Sequence, residues 1–460
     1  MPVLDWYVVR GTLLPFLDRS SVRQAAFGTV LAILVSYNAV LTLGFGFIGS
    51  PGNSVATGAL LFTLPPLLFL LSFRGELHLR AADFFYAGYA GIALLSFLIN
   101  DDAPTKEHLL LVATLSGYVA CRPLVASDIQ VARSAFERIT AVIILVGAFV
   151  TAAELFRDGV PGKPMVFGFN AAGTYFTVAL GLLIIALVTV DRPRPRRTIA
   201  ISALVFLPTA IFAAAMVRFT FLALAGTLLV AIILTERGKR GHIAVVAIVI
   251  FFAILVGLGS RYSTTKMYAA YIVEQPIQAS IATTPAQALP GFADPPSCSL
   301  TINTRNSIAI RRSLARDALY LAPAVGPFGT GLDSFLRFSC IQAHQVHISI
   351  LQAAVELGWL GGSFFVALMG LAIHGLVPLA RQSGAVRFIL CSLVFCIFLS
   401  MAHGRISRDI SLFAFLGCAV GISKSRIAFL SATEANDHSD PDRISDGPSD
   451  TKTPAIDAGR

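Results

Sequence analysis

The sequence predicts an all-α polytopic membrane protein of about twelve transmembrane helices. Three observations lead there. Hydrophobic residues make up 55% of the 460 and charged residues 13%, about half the charged share of a soluble domain. Mean hydropathy is +0.75. Stretches of roughly 20 apolar residues, the length that crosses a bilayer core as a helix, recur along most of the chain. This balance argues against a soluble enzyme, and it gives the formal charge of +9 a topological meaning rather than a nucleic-acid one.

Residues 1–23 read as a cytoplasmic N-terminal segment, because Asp5, Arg10, Asp18 and Arg19 interrupt any apolar core that a signal peptide would need. Apolar spans follow at 24–48, 55–73, 82–99, 108–127, 138–156, 168–190, 198–216, 218–234 and 242–259. Three more lie at 347–376, 384–402 and 408–423. Helices 1–9 thus occupy 24–259 and helices 10–12 occupy 347–423, with both termini on one side. Lysine and arginine accumulate in cytoplasmic connectors. One set of connectors holds Arg74 and Arg80; Arg122, Arg133 and Arg138; Arg192, Arg194, Arg196 and Arg197; Arg237, Lys239 and Arg240; Arg381 and Arg387. The alternate set is poor in base: "GSPGNS" has none and "NDDAPTKEH" is net acidic. The basic set, and both termini with it, belongs inside.

Residues 198–234 form one apolar run broken only by Pro208 and Arg218. As a single helix it would reach about 55 Å, far beyond a hydrocarbon core of roughly 30 Å. Two spans meeting at Arg218 keep the basic clusters on either side of the run in the same compartment. Residues 260–346 are then one large outer loop between helices 9 and 10. Residues 424–460 are a cytoplasmic tail, polar and acidic from 431 onward, with the composition of a disordered segment.

Of six cysteines, Cys121, Cys391, Cys396 and Cys418 fall in spans, where they serve as small apolar residues. Cys298 and Cys340 both fall in the outer loop, where an oxidising compartment would let them pair. No Cys/His cluster has zinc spacing, and the expectation is a site with no metal and no cofactor.

The segment "HQVHISILQAAVELGWLGG" places His344 and His347 at the mouth of a span. Taken as one helix from His347, Leu351 and Ala354 share its face, with Gly358 about 20° and Gly361 about 40° to either side. Small residues on one stripe admit a neighbouring helix, so His347 is expected to face protein. An ionisable side chain at that depth points to function, although hydrogen bonding at the headgroup level would also account for it. Arg218 sits inside the longest apolar run, where snorkelling is the ordinary alternative to function. The outer loop adds Arg305, Arg311, Arg312 and Arg316, interleaved with Ile308, Leu314, Ala315, Ala318 and Leu319, which suits a helix lying along the outer membrane surface. Arginine forks bind phosphate oxygens bidentately. A neutral imidazole can take a proton from an acceptor hydroxyl. Together these groups suit cleavage of a lipid-linked diphosphate on the outer side.

The sequence resembles the bacterial O-antigen ligases and the related O-antigen and exopolysaccharide polymerases, from about the fourth span onward and most firmly over 160–365. The ligase motif places a histidine eleven residues before a Gly-x-x-Gly. "HISILQAAVELGWLG" is similar at His347, Gly358 and Gly361, with Ile348 where the motif has a polar residue. "AAMVRFTFLALAG" resembles the family's span that opens on an arginine, here Arg218. "ALYLAPAVGPFGTGLDSF" resembles a segment that follows a second arginine, which spacing carries onto Arg312 with Arg311 and Arg316 as rivals. "FGFNAAGTYF" is similar, through Asn170, to the family's start of span six.

The resemblance implies a GT-C-like, metal-independent, inverting glycosyltransferase. Its donor would be an undecaprenyl-diphosphate-linked glycan. Its acceptor would be the lipid A core or a growing polysaccharide. Two arginines would hold the diphosphate and His347 would activate the acceptor, with His344, Gly358 and Gly361 in support. The expected setting is the bacterial inner membrane, with the site facing the periplasm, membrane lipids as partners and no nucleic acid. Ligase and polymerase both remain open. A twelve-span transporter would show two related halves, and none is visible; a non-catalytic polysaccharide assembly protein is the other alternative.

Overall fold

The computed structural model describes residues 20–49, 54–75, 77–100, 105–158, 163–191, 193–273, 307–341, 344–402 and 404–423. Residues 1–19 of the expected N-terminal segment 1–23, residues 274–306 of the expected outer loop (including Arg305 and Cys298) and the expected tail 424–460 lie outside the described residues. What is described is helical, with short 3-10 turns and one isolated bridge between Val166 and Phe169.

In chain order the helices are α1 (Ser20–Val35), α2 (Tyr37–Ile48), α3 (Ser54–Ser72), α4 (Ala81–Ile99), α5 (Thr105–Cys121), α6 (Ile129–Asp158), α7 (Ala172–Val188), α8 (Pro195–Ala214), α9 (Phe219–Leu234), α10 (Arg240–Ser260) and α11 (Tyr262–Val273). They continue with α12 (Ser307–Leu321), α13 (Phe335–Phe338), α14 (Ser349–Glu356), α15 (Gly358–Gln382), α16 (Gly384–Ser400) and α17 (Ile410–Ile422). Among the described residues 6 helices are long and apolar enough to cross a membrane, or up to 7 if the bent pair α1–α2 forms one span. Four shorter apolar helices, α7, α9, α16 and α17, complete the apolar set.

The short helices are short for a reason visible in their burial. Every residue of α17 but Ser411 and almost every residue of α7 is buried, so these helices run through the centre of the molecule. The long helices surround them, with only 28–39% of each apolar window buried. Their outward faces carry Phe84, Leu98, Phe149, Leu207 and Phe251, all exposed. So much contiguous apolar surface is untenable in water and natural in a bilayer. Close packing inside depends on small residues: a Cβ on Gly417 of α17 would sit 2.2 Å from the Tyr118 carbonyl oxygen of α5.

The apolar run 198–234 is two helices, separated by residues 215–218. Two other expectations need correction. Residues 24–48 are not one straight span, because α1 and α2 meet at 77° around Ser36. Residues 347–376 are not one helix either. α14 ends at Glu356 and α15 begins at Gly358, whose φ of +79° is left-handed and ends the first helix. The stripe drawn from His347 through Gly358 to Gly361 is therefore not a geometric feature of this protein.

At one end of the bundle the basic connectors are locked by buried polar contacts. Arg122 donates to both Asp83 carboxylate oxygens at 2.8 Å, and the Tyr118 hydroxyl donates to Oδ1 at 2.6 Å. Arg133 donates to the Thr189 carbonyl at 2.9 Å and pairs with Glu137 at 2.9 Å. A bidentate guanidinium–carboxylate pair sharing a third donor holds helices where apolar packing alone would let them slide.

Candidate functional site

The opposite end gathers the residues with chemical potential. Arg218 caps the N-terminus of α9, half-buried, directly after a turn in which Met216 adopts a φ of +62°. Phe219 follows it, and the Arg311 guanidinium carbon lies 3.9 Å from the centroid of that ring. A cation that close over an aromatic face is held in place by the ring quadrupole. Burial lowers the Arg311 pKa to about 10.

α12 presents Arg311 because of its own pattern. Ile310, Leu314, Ala318 and Leu321 are buried in a small second core with Val325, Phe335, Ile341, Val346 and Val355. That i, i+4, i+8, i+11 stripe fixes the helix's rotation and leaves Arg311 half-buried beside it, while Arg312 is exposed. Arg316 is also outward and bonds Asp317 at 3.1 Å. Spacing to Ala318-Leu319 favours Arg312, but the helix phase brings Arg311 to Arg218's neighbour. Leu314 and Ala318 dock on protein, and Ile308 and Leu319 are exposed.

His347 precedes α14 and is half-buried. Its pKa is lowered to about 4, first by burial, then by the like charges of Arg311, His344 and Arg405. The imidazole is therefore neutral at pH 7, with one ring nitrogen unprotonated and its basicity reduced. His344 is exposed at its side.

Two members escape the sequence reading. Lys163, an exposed side chain in the connector before α7, has its pKa lowered by partial desolvation against the protein and by the positive charges of Arg218 and Arg311. It thus ties the two arginines into one electrostatic neighbourhood. Arg405, in the connector between α16 and α17, approaches His347 and pairs with Asp333 at 3.3 Å. The signal for both was connector parity: their connectors fall on the same side of the alternation as Arg218, and that side was treated as base-poor. Asp333, at a φ of +67°, also accepts from Gln345 Nε2.

The connector carrying Arg405 is itself well anchored. The Ile406 amide donates to Gln352 Oε1 at 3.1 Å, Ser349 Oγ donates to Asp409 Oδ2 at 2.6 Å, and Glu107 accepts from Ser407 at 2.6 Å and Arg408 at 2.8 Å.

Gly358 and Gly361 support this site from behind. The segment Gly326–Asp333 folds against the α14–α15 break so closely that a Cβ on Gly358 would sit 2.3 Å from the Pro327 carbonyl oxygen. One on Gly329 would sit 2.3 Å from the Gly358 nitrogen. A Cβ on Gly361 would meet Ile92 of α4 at 3.4 Å and Leu357 at 2.7 Å. Cys340 is disulfide-bonded; its expected partner Cys298 lies outside the described residues. Cys121, Cys391, Cys396 and Cys418 are free and buried. Among the described residues no three His, Cys, Asp or Glu side chains gather as metal ligands would.

Arg311 thus links two groups of side chains, Lys163 with Arg218 on one side and His347 with Arg405 on the other, and Asp333 pairs with Arg405. Such a set suits an anion with several oxygens beside a group that loses a proton. No protein-family model matches the chain, and no curated protein matches it.

Proposed function

We propose that the protein is a membrane glycosyltransferase that moves a glycan from undecaprenyl diphosphate to an acceptor hydroxyl at the periplasmic face of the bacterial inner membrane. The bundle would cross the membrane twelve times in a GT-C-like arrangement, counting α1–α2 as one span and α5, α7, α9, α16 and α17 as buried spans. Residues 260–346 would form the large outer loop, and both termini would be cytoplasmic. The observation that supports the reading is Arg311: its guanidinium lies 3.9 Å from the ring of Phe219, the residue after Arg218, and its charge acts on both Lys163 and His347.

In this reading Arg218 and Arg311 take the diphosphate oxygens, with Lys163 adding a third positive charge. The acceptor hydroxyl gives its proton to His347 while its oxygen attacks the anomeric carbon. The bond from that carbon to the diphosphate oxygen breaks, and its electron pair stays on the leaving group, where the guanidinium groups stabilise it. The products are the extended acceptor, undecaprenyl diphosphate and a proton, with inverted anomeric configuration. No metal or cofactor enters the step. Arg312 and Arg316, facing away, are not part of the clamp.

The acceptor class follows from a deletion strain. A ligase acting on the lipid A core predicts loss of capped lipopolysaccharide with polymer retained on the lipid carrier. A polymerase predicts that only single repeat units remain. An unchanged surface-glycan profile would remove the proposal and favour a transporter or an assembly protein without this activity.

A further inference from the structure

We infer that a cavity at the basic-connector end of the bundle holds the headgroup of a membrane phospholipid, one whose phosphate is joined to a primary ammonium. This site lies away from the residues around His347 and stands or falls apart from the glycosyltransferase reading. The cavity measures about 560 Å³. It is lined by Gln130, Arg133, Ser134 and Glu137 of α6, by Asp191 in the α7–α8 connector and by Arg197 of α8. A structural water takes about 30 Å³, whereas ligand sites run from roughly 300 to 1,000 Å³.

One of the two arginines is committed to the protein. Arg133 is buried, and its guanidinium donates to the Thr189 carbonyl at 2.9 Å, to the Gly384 carbonyl at 3.5 Å and to the Ala186 carbonyl. Its Nε donates to Glu137 Oε1 at 2.9 Å. Arg133 thereby satisfies carbonyls left over at the C-terminal end of α7, and no ligand can have it. Arg197 is different. Its Nη2 stands 3.7 Å from Glu137 Oε2, beyond hydrogen-bond reach, and its side chain is 44% exposed. A fork held that loosely at a cavity wall suits phosphate oxygens. The opposite charge is present as well. Glu137 Oε2, and Asp191 beyond the Oδ1 that accepts from the Gly384 amide, offer carboxylate oxygen to a cation. Two guanidinium groups against two carboxylates leave the lining neutral. A purely anionic ligand gains at Arg197 what it loses at Glu137 and Asp191, while a zwitterion satisfies both.

The surroundings select a lipid over a soluble zwitterion. Leaving the cavity, α6 exposes Val142, Leu145 and Phe149, and α8 exposes Ile199 and Leu207. A headgroup bound in the cavity has its acyl chains beside these apolar faces, where a bilayer would cover them. Basic pockets between spans on the cytoplasmic side take lipid headgroups.

The test uses delipidated full-length protein in detergent, read by native mass spectrometry. It is titrated with phosphatidylethanolamine, phosphatidylcholine and phosphatidylglycerol of identical acyl chains, and with free glycerophosphoethanolamine. One phosphatidylethanolamine per chain should bind about tenfold more tightly than either other lipid, the worth of one charge-assisted hydrogen bond. A quaternary ammonium donates none, and a glycerol headgroup brings no positive charge. The free compound should bind at least about tenfold more weakly than the lipid, since it buries no acyl chain. Arg197→Gln should weaken phosphatidylethanolamine about tenfold. Asp191→Asn, which keeps an oxygen for Gly384, should erase the preference over phosphatidylcholine. Arg138→Gln, at an exposed position outside the cavity, should change neither. Thermal unfolding midpoints establish that the variants compared are folded. Equal binding of the three lipids overturns the proposal, as does a preference that survives both cavity substitutions or falls equally in Arg138→Gln. Free compound binding as tightly as lipid overturns the lipid source and leaves the zwitterion site standing.

Discussion

Arg311 rests its guanidinium over Phe219, while Arg312, one residue on, faces outward from the same helix. The two therefore predict different losses. Arg311→Ala should lower glycan transfer by about 100-fold or more, the usual cost of removing a donor to developing negative charge. Arg312→Ala should stay within about threefold, since an exposed charge contributes little. Transfer rates of purified variants decide this, and equal losses would show that the clamp is wrongly assigned. Arg218→Lys and Arg311→Lys should fail to rescue, because a point charge lacks the fork.

His347 makes a second prediction through stability. Its folded value of about 4 lies below the ordinary value of about 6.5. Between those limits the unfolded chain binds the proton more readily, so stability falls as pH drops through that window and is fully present above it. The thermal unfolding midpoint in detergent should decline from pH 6.5 towards 4, and His347→Asn should flatten the decline. The choice between Arg311 and Arg312 was partly legible in the sequence. Ile310, Leu314, Ala318 and Leu321 carry a clean helical stripe, but the choice of Arg312 rested on spacing to Ala318-Leu319 and not on that stripe.

Among the elements, hydropathy located the helices well, because a bilayer demands apolar runs of a set length. It could not locate the break at Gly358, since the apolar pattern runs on from 347 to 376. The break is made by a contact distant in sequence, Gly326–Asp333 folded against the α14–α15 junction. Gly331 N donates to the Glu356 carbonyl at 3.0 Å and Trp359 N to the Gly326 carbonyl at 3.2 Å, so the orphaned groups of the break are satisfied there. Gly358→Ala and Gly329→Ala should each destabilise the protein by about 1–3 kcal/mol or more, through a left-handed φ and a backbone clash. Gly370→Ala, on the same α15 with open space around its Cβ position, should be neutral or slightly stabilising. Thermal unfolding of the three variants checks the pair of expectations. Equal behaviour would mean the break is not held as described.

At the scale of the whole molecule, two ends of one helical bundle are built from different chemistry. One end is fastened by carboxylate–guanidinium pairs such as Asp83–Arg122, and the other leaves cations gathered around His347. The connector alternation in the sequence anticipated that division but missed Lys163 and Arg405, because individual basic residues on a base-poor side carry no signal until the fold brings them together. The disulfide at Cys340 belongs to the same end, and such bonds persist in oxidising compartments. Cys340→Ser should abolish a mobility shift between reduced and non-reduced gels; a shift that survives would mean that Cys340 makes no such bond in the cell.

The central claim is tested most directly by purified protein given undecaprenyl-diphosphate-linked glycan and an acceptor, with chelator present throughout. Wild type should release undecaprenyl diphosphate and extend the acceptor, and His347→Ala and Arg311→Ala, folded and membrane-inserted, should do neither. Transfer at the wild-type rate by either variant, or none by wild type until a divalent metal is restored, would contradict the account.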